Sequence, residues 1–475
     1  MRAAFHTLGC KVNQYETEAM KEQFVRAGWE IAGEGETADV YVVNTCTVTQ
    51  LADRKSRQYI RRARRLNPDA VVAVTGCYVQ MNPEEAASLD GVEIVCGTDE
   101  KGAVLDQVQA YFRDHEPSVR VHPTRELTRY ESQGEIQEMD GRARAFIKIQ
   151  EGCGNFCSYC IIPYARGRIR SRAPEEVVRE VRGLVDKGCR EVVLTGINTA
   201  YYGRDLKTGG VGSLIRALND LPGDFRIRLS SLEPTEIDAG AVKELLDYDR
   251  LCHHLHLALQ SGSDRVLARM NRRYSMDDFR AIVDVLRSRD PLYGISTDLI
   301  VGFPGETEED FQDSLRAVTA SAFCKVHVFR YSPRAGTPAA GWKDQVPAEL
   351  KKARSAELIQ RAEEVSREFR RSCVGAVREV LTERTVADPI SGEDQGIEGA
   401  RTAGQPGPGG PAGRAGTVDP AGTAGQGDRQ TFHTAGYTDN YIQTSLPGPL
   451  RGRTEILRVR LTGLTGEGMT GEAIE

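Results

Sequence analysis

Glu151-Gly-Cys-Gly-Asn-Phe-Cys-Ser-Tyr-Cys-Ile-Ile-Pro163 places Cys153, Cys157 and Cys160 in a C-x3-C-x2-C run. Three thiolates this close together can hold an iron–sulfur cluster by three of its four irons. No local cysteine remains for the fourth, so that iron is open to an exogenous ligand. Structural clusters and zinc ribbons mostly use four protein ligands, and an open position therefore points to chemistry rather than bracing. Three buried cysteines, or a zinc site completed by a distant histidine, are the plainer alternatives. The spacing is more specific than either requires, and the apolar strand Phe146-Ile-Lys-Ile149 leads directly into it.

The 475-residue chain is long enough for two to four domains. A 40% apolar and 27% charged composition describes a soluble globular protein. No apolar run approaches the roughly 20 residues that cross a bilayer, and Met1–Cys10 is too short and polar for a secretory signal. A cytoplasmic location, with no membrane partner, is expected. There the 11 cysteines stay reduced, and their odd number and partial clustering fit metal ligation better than disulfides. The net charge of −6 argues weakly against a nucleic-acid partner, but local patches outweigh the sum.

Upstream, residues 1–125 alternate strands with helices. Arg2–Thr7 stops at Leu8-Gly9-Cys10, Asp39–Val43 runs into Asn44-Thr45-Cys46, and Ala70–Val74 into Thr75-Gly76-Cys77. The alternation predicts an open parallel sheet, whose ligands lie outside the carboxyl ends of the strands. Cys10, Cys46 and Cys77 all fall there, so three more thiolates can converge around a second open iron. Any one of them alone would pass as a packing residue. Cys96 also ends a short strand, Val92–Val95, and is assigned to packing. The run Arg54–Arg65 has seven basic residues and no acid, which suits either a solvated helix face or phosphate contacts.

Residues 139–372 repeat the alternation six times. The strands are Phe146–Ile149, Glu191–Thr195, Arg226–Ser230, His254–Leu259, Ser296–Val301 and Lys325–Tyr331, which predicts an incomplete (β/α)6 barrel of TIM type. Their carboxyl ends carry the cysteine triplet with Tyr159, then Thr195-Gly196-Ile-Asn198, Ser230 to Glu233, Gln260-Ser261, Gly302, and Tyr331 to Arg334. Glycines admit close backbone approach, and the polar groups suit ribose hydroxyls and an amino-acid moiety. Basic residues flank the triplet: Arg142, Arg144 and Lys148 before it, Arg166, Arg168, Arg170 and Arg172 after. They are candidates for phosphate contacts, against a plain solubilising role.

Residues 373–475 read as a small β-barrel of the oligonucleotide-binding sort. It is interrupted by a Gly- and Pro-rich insert over 388–428, whose composition cannot bury a core and predicts disorder. Tyr437 and Tyr441 can stack on bases or sit half-buried in strands.

The C-x3-C-x2-C run resembles the signature of the radical S-adenosylmethionine (SAM) enzymes, in which SAM binds the open iron. With the upstream triplet and the C-terminal module, which resembles a TRAM domain, the chain is similar to the methylthiotransferases across nearly its full length. Leu8-Gly-Cys-Lys-Val-Asn-Gln-Tyr-Glu-Thr17 resembles the branch acting on N6-threonylcarbamoyladenosine (t6A) at tRNA position 37. Leu259–Asp264, Asp298–Thr307 and Gly436–Ile442 also match the family. The resemblance implies two 4Fe-4S clusters, on Cys153, Cys157 and Cys160 and on Cys10, Cys46 and Cys77. SAM would lie near Tyr159, Thr195, Gly196, Asn198, Ser230, Glu233, Gln260, Ser261 and Gly302. RNA contacts would come from Arg166, Arg168, Arg170, Tyr437 and Tyr441. It implies replacement of the hydrogen on adenine carbon 2 by a methylthio group. The implied partners are the tRNA anticodon loop, a sulfur donor and an electron donor such as flavodoxin or ferredoxin. Related branches modify isopentenyladenosine or a ribosomal-protein aspartate. An RNA-binding or electron-transfer protein with structural clusters is the alternative of another class.

Overall fold

The computed structural model describes residues 1–33, 35–136, 143–235, 237–387, 432–450 and 454–474. They fall into two compact units, Met1–Phe369 and Arg370–Glu475.

The first unit opens with a six-stranded parallel sheet. Its strands are β1 (Arg2–Thr7), β2 (Glu30–Ile31), β3 (Val40–Thr45), β4 (Val71–Gly76), β5 (Ile94–Cys96) and β6 (Ser118–Arg120), in the order β2-β1-β3-β4-β5-β6. β3 and β4 are buried at every position, as a parallel sheet covered on both faces requires. On one face Val40, Val42, Val71, Ala73 and Cys96 pack with Met20 and Phe24 of helix α1 (Lys11–Arg26). On the other, Tyr41, Val43, Val72 and Val74 pack with Ile60 and Ala63 of helix α2 (Gln50–Leu66). The edge strands β2 and β6 go beyond the sequence reading, because two or three residues carry no usable periodicity.

The barrel strands are β7 (Arg144–Lys148), β10 (Glu191–Thr195), β11 (Arg226–Leu229), β12 (Ser231–Leu232), β13 (His254–Leu257), β14 (Gly294–Val301) and β15 (Lys325–Arg330). A short antiparallel pair, β8 (Gln150–Glu151) with β9 (Arg170–Ser171), brackets the cysteine loop. The parallel strands run in two sheets, β11-β10-β7 and β12-β13-β14-β15. The expected third strand, Arg226–Ser230, is β11 and pairs with β10, while β12 just beyond Ser230 pairs with β13. Side chains alternate along each strand. Ala145, Ile147, Val192, Leu194, Ile227, Leu229, Leu255, Leu257 and Ile295 join one apolar core with the surrounding helices. The intervening residues, among them Arg144, Glu191, Arg228, His256 and Asp298, face the barrel interior.

The second unit holds a closed five-stranded barrel of β16 (Val377–Ala387), β17 (Phe432–Thr438), β18 (Gln443–Pro447), β19 (Ile456–Leu464) and β20 (Met469–Ala473), in the order β16-β17-β18-β20-β19. Closure leaves no free strand edge. The expected insert over 388–428 and Arg142 lie outside the described residues. Among the described residues no helix is long and apolar enough to cross a membrane.

Candidate functional site

β1 ends before Gly9, whose φ is +108° and whose added Cβ would stand 3.0 Å from Cys46 Sγ. Only glycine lets the backbone preceding Cys10 pass so near the end of β3. Cys10 caps α1, Cys46 follows β3, and Cys77 opens the short helix α3 (Cys77–Met81) directly after β4. Cys10 is exposed, while Cys46 and Cys77 are buried. Burial pushes the Cys46 thiol up to about 12, and the nearby Cys77 and Cys10 charges push the same way. The three sequence-predicted thiols therefore share one place. Cys96 does not join them: it packs among Ala3, Met20 and Phe24. Its thiol is raised to about 12 by burial, with Glu100, Arg120 and Asp99 as its charged neighbours.

The second triplet is shaped by Gly152, where φ is +75° and a Cβ would fall 1.8 Å from the Arg168 carbonyl. Phe156 adopts φ +47°, and Asn271 Nδ2 holds this turn by donating to the Asn155 and Phe156 carbonyls at 3.0 and 3.1 Å. Ser158 Oγ donates to the Arg269 carbonyl at 2.8 Å. Arg272 Nη1 donates to Cys157 Sγ at 3.7 Å. Burial raises all three thiols, Cys153 to about 12. Ligation would thus displace protons that burial otherwise retains, and cluster loading would depend on pH.

Between the triplets lies a buried charge hub that the sequence reading did not find. Arg166 Nη1 donates to Glu16 Oε1 at 2.6 Å and Glu151 Oε1 at 2.5 Å. Its Nη2 donates to Asn13 Oδ1 at 2.6 Å, and its Nε to Cys77 Sγ at 3.1 Å. Lys148 reaches Glu16 and Glu151, each at 2.7 Å, and Lys101 pairs with Glu16. Burial opposes ionisation of Glu16, but Arg166, Lys101 and Lys148 together hold it well below the usual carboxylate range. Glu151 is likewise held at about 2, with Lys148 and Arg166 overriding burial. Glu16 follows Cys10 on α1, Glu151 precedes Cys153, and Arg166 touches Cys77, so one network carries both triplets. The Arg166 Nε donor is positioned to hydrogen-bond the Cys77 sulfur.

This corrects the expected RNA contacts. Arg166 and Arg170 are 0% and 2% exposed, and Arg172 and Lys148 are buried with them. Their charges are consumed by interior carboxylates, while Arg168 alone of Arg166, Arg168 and Arg170 is exposed. Tyr437 and Tyr441 are half-buried and stack on one another at 5.3 Å. Basic charge is presented instead along α2, where Arg54, Arg57, Arg61 and Arg65 line one open groove.

Of the residues proposed to surround SAM, the structure brings together Thr195, Asn198, Ser230 and Glu233. Asn198 Nδ2 donates to Glu233 Oε2 at 3.2 Å, and Thr195 Oγ1 lies 3.5 Å from Ser230 Oγ. Asn155 and Arg272 also bind Glu233, so this carboxylate ties the loop of the second triplet to the strand ends. Gly196 packs so closely on Gln150 that a Cβ would meet its Oε1 at 2.9 Å. Gln260 takes φ +69° and is fixed through its backbone to Asp298 and Ile300. The others are engaged elsewhere. Ser261 Oγ accepts from Ser263 N, Tyr159 packs edge-on to Phe303, and a Cβ on Gly302 would strike Lys351 at 2.3 Å. Asn155 stood inside the quoted cysteine run, and Arg272 carries no sequence signal beyond its charge.

Residues 2–97 match the uncharacterized protein family UPF0004, and residues 147–318 match the radical SAM superfamily. The chain is 45% identical over 381 residues to the threonylcarbamoyladenosine tRNA methylthiotransferase MtaB of Bacillus subtilis, covering 80% of this chain and 84% of the relative. The Thermotoga maritima protein of the same name is 42% identical, covering 82% and 88%. A tRNA-2-methylthio-N(6)-dimethylallyladenosine synthase of Moorella thermoacetica is 37% identical, covering 81% and 88%. Among solved structures, the radical SAM methyltransferase TsrM of Kitasatospora setae superposes with a TM-score of 0.53 at 17% identity, covering 82% of this chain and 79% of that one. The last likeness concerns the fold alone.

Proposed function

The chain belongs to the tRNA methylthiotransferase family of radical SAM proteins, and on that premise we propose that it converts N6-threonylcarbamoyladenosine beside the tRNA anticodon to its 2-methylthio derivative. The observation that carries this reading is the placement of two three-cysteine sites around a single buried charge hub. Each site has three thiols, so each leaves one iron of a four-iron cluster open. When bound, the Cys153 cluster with SAM would supply the one-electron chemistry that an aromatic C–H bond demands, and the second cluster would supply sulfur.

The chain's own residues prepare these sites. Arg166 and Arg272 each donate to a cysteine sulfur, one in either triplet. Charge-assisted donors of this kind stabilise ligated sulfur and tune its potential. Glu233, Asn198, Thr195 and Ser230 would offer polar contacts to SAM. An electron donor such as flavodoxin or ferredoxin, a sulfur donor and a cytoplasmic location belong to the same proposal. The nucleoside content of tRNA from a deletion strain tests it. Threonylcarbamoyladenosine lacking the methylthio group should accumulate, and restored expression should remove it. Unchanged methylthio nucleosides would reject the reading.

RNA affinity is assigned to the α2 groove, with the C-terminal barrel as a second RNA-binding module. Arg54→Glu/Arg61→Glu should weaken tRNA binding and reduce the slope of log affinity against log salt by roughly 1 to 2. Both positions are exposed, so the melting temperature should stay unchanged. An unaltered salt slope would remove α2 from the interface.

A further inference from the structure

The interior face of the barrel is polar where parallel barrels ordinarily hold layers of branched apolar side chains. Glu191 is bridged by Arg144 at 2.6 Å, Arg226 at 2.7 Å and Arg228 at 3.0 Å. His254 Nε2 and His256 Nδ1 share Ser296 Oγ at 2.9 and 3.1 Å. His256 Nε2 lies 3.3 Å from Asp298, and His327 completes a group whose ligating atoms stand within 4.8 Å of one another. Lys11, the first residue of α1, comes within electrostatic reach of Arg144, Arg228, Glu191 and Asp298, and also of His254 and His327. Among the described residues its ammonium makes no hydrogen bond and no ion pair.

Two ligands suit such a place: a divalent cation on His256, Asp298 and His327, or an anion at Lys11. Charge decides between them. Among the described residues Arg144, Arg226 and Arg228 share the one Glu191 carboxylate, and Lys11 has Glu191 and Asp298 within electrostatic reach. Arg272, itself paired with Glu233, also acts on Asp298. In a water-poor interior such charges act strongly over several ångströms, so a dication is repelled and an anion attracted. Position agrees with this. Lys11 directly follows Cys10, and Arg272 lies 3.7 Å from Cys157 Sγ, so the lumen is approached from a cysteine of each triplet.

Resting on the methylthiotransferase reading, we infer that Lys11 is the specificity-determining cation that binds the carboxylate of the threonylcarbamoyl group, with Asp298 accepting hydrogen bonds from that group's hydroxyl or N–H. The dimethylallyl group of the related substrates has no carboxylate. Its entry would leave the Lys11 ammonium buried and unpaired. Sites built around such a charge reject analogues lacking the partner by on the order of 10⁴-fold.

The test uses reconstituted holoprotein and anticodon stem-loops carrying the threonylcarbamoyl nucleoside as free acid or methyl ester. Wild type should bind and modify the ester about 10- to 150-fold less well than the acid, the value of one charged hydrogen bond. Lys11→Met should lose the same factor on the acid and no longer distinguish the two. Its iron content, cluster spectra and SAM cleavage without RNA should match wild type. Because Lys11 adjoins Cys10, the ester arm on wild type decides the matter even if the variant loads iron poorly. Equal rates on acid and ester would overturn the assignment while leaving the methylthiotransferase reading intact. Failure on both substrates would overturn that reading itself. Stoichiometric zinc binding to the holoprotein, abolished in His327→Ala, would replace the anion seat with a metal site.

Discussion

Arg166→Met should lower the stability of the first unit by about 3 to 5 kcal/mol, the scale for removing one partner from a buried charge network. Arg166 is fully buried and uses all three guanidinium nitrogens: Nη1 on Glu16 and Glu151, Nη2 on Asn13 and Nε on Cys77. Its loss leaves Glu16 with Lys101 and Lys148, and Glu151 with Lys148 and Arg170 at 3.6 Å. Arg166→Lys should recover only part of the loss, because a single ammonium cannot span four partners. Chemical denaturation of apo and loaded protein reads both numbers. Iron bound by the upstream triplet should fall as well, since Cys77 Sγ loses its Arg166 hydrogen-bond donor.

Acid dependence gives the same variant a second signature. Glu151 has its folded pKa at about 2, against an ordinary value of 4.5, and Glu16 is also depressed. Depressed carboxylates contribute stability that is fully present above their unfolded value and lost as pH falls through the folded one. Wild type should therefore weaken progressively from about pH 4.5 towards pH 2. In Arg166→Met that loss should be smaller, so the two stability curves converge on acidification. Parallel curves would mean that the hub does not couple ionisation to folding.

The legible parts of this chain were those with local pattern. The sheet and the open barrel followed from strand–helix alternation, the closed barrel from strand patterning alone, and the candidate thiols of Cys10, Cys46 and Cys77 from their recurrence at strand ends. The hub was not legible, because its partners are remote: Glu16 and Arg166 are 150 residues apart, and Lys101 and Glu16 are 85 apart. A basic run reads as surface charge unless its interior acids are known, which is why Arg166 and Arg170 were misplaced. The polar lumen did leave a trace. Arg226-Ile-Arg-Leu and His254-Leu-His-Leu alternate polar with apolar residues, whereas strands of an apolar-filled barrel should be apolar on both faces.

Alanine at all of Cys153, Cys157 and Cys160 should abolish SAM cleavage and reduce bound iron from about eight to about four per chain. Alanine at Cys10, Cys46 and Cys77 should remove the same amount of iron with a different consequence. SAM cleavage under dithionite should persist, because Arg272, Glu233 and Asn155 still frame the intact second triplet. No methylthio product should form. Cys96→Ala belongs with wild type in both assays, since its side chain is spent in the core beside Met20 and Phe24. Full iron and activity in Cys77→Ala would transfer its role to another thiol. That outcome has a physical cost: burial, then Glu100 and Asp99, oppose the Cys96 thiolate, with Arg120 acting the other way. The two triplets thus differ in what depends on them, although each offers three thiols. On these expectations the site framed by the barrel strand ends would be needed for SAM cleavage, and the site framed by the open sheet for sulfur transfer.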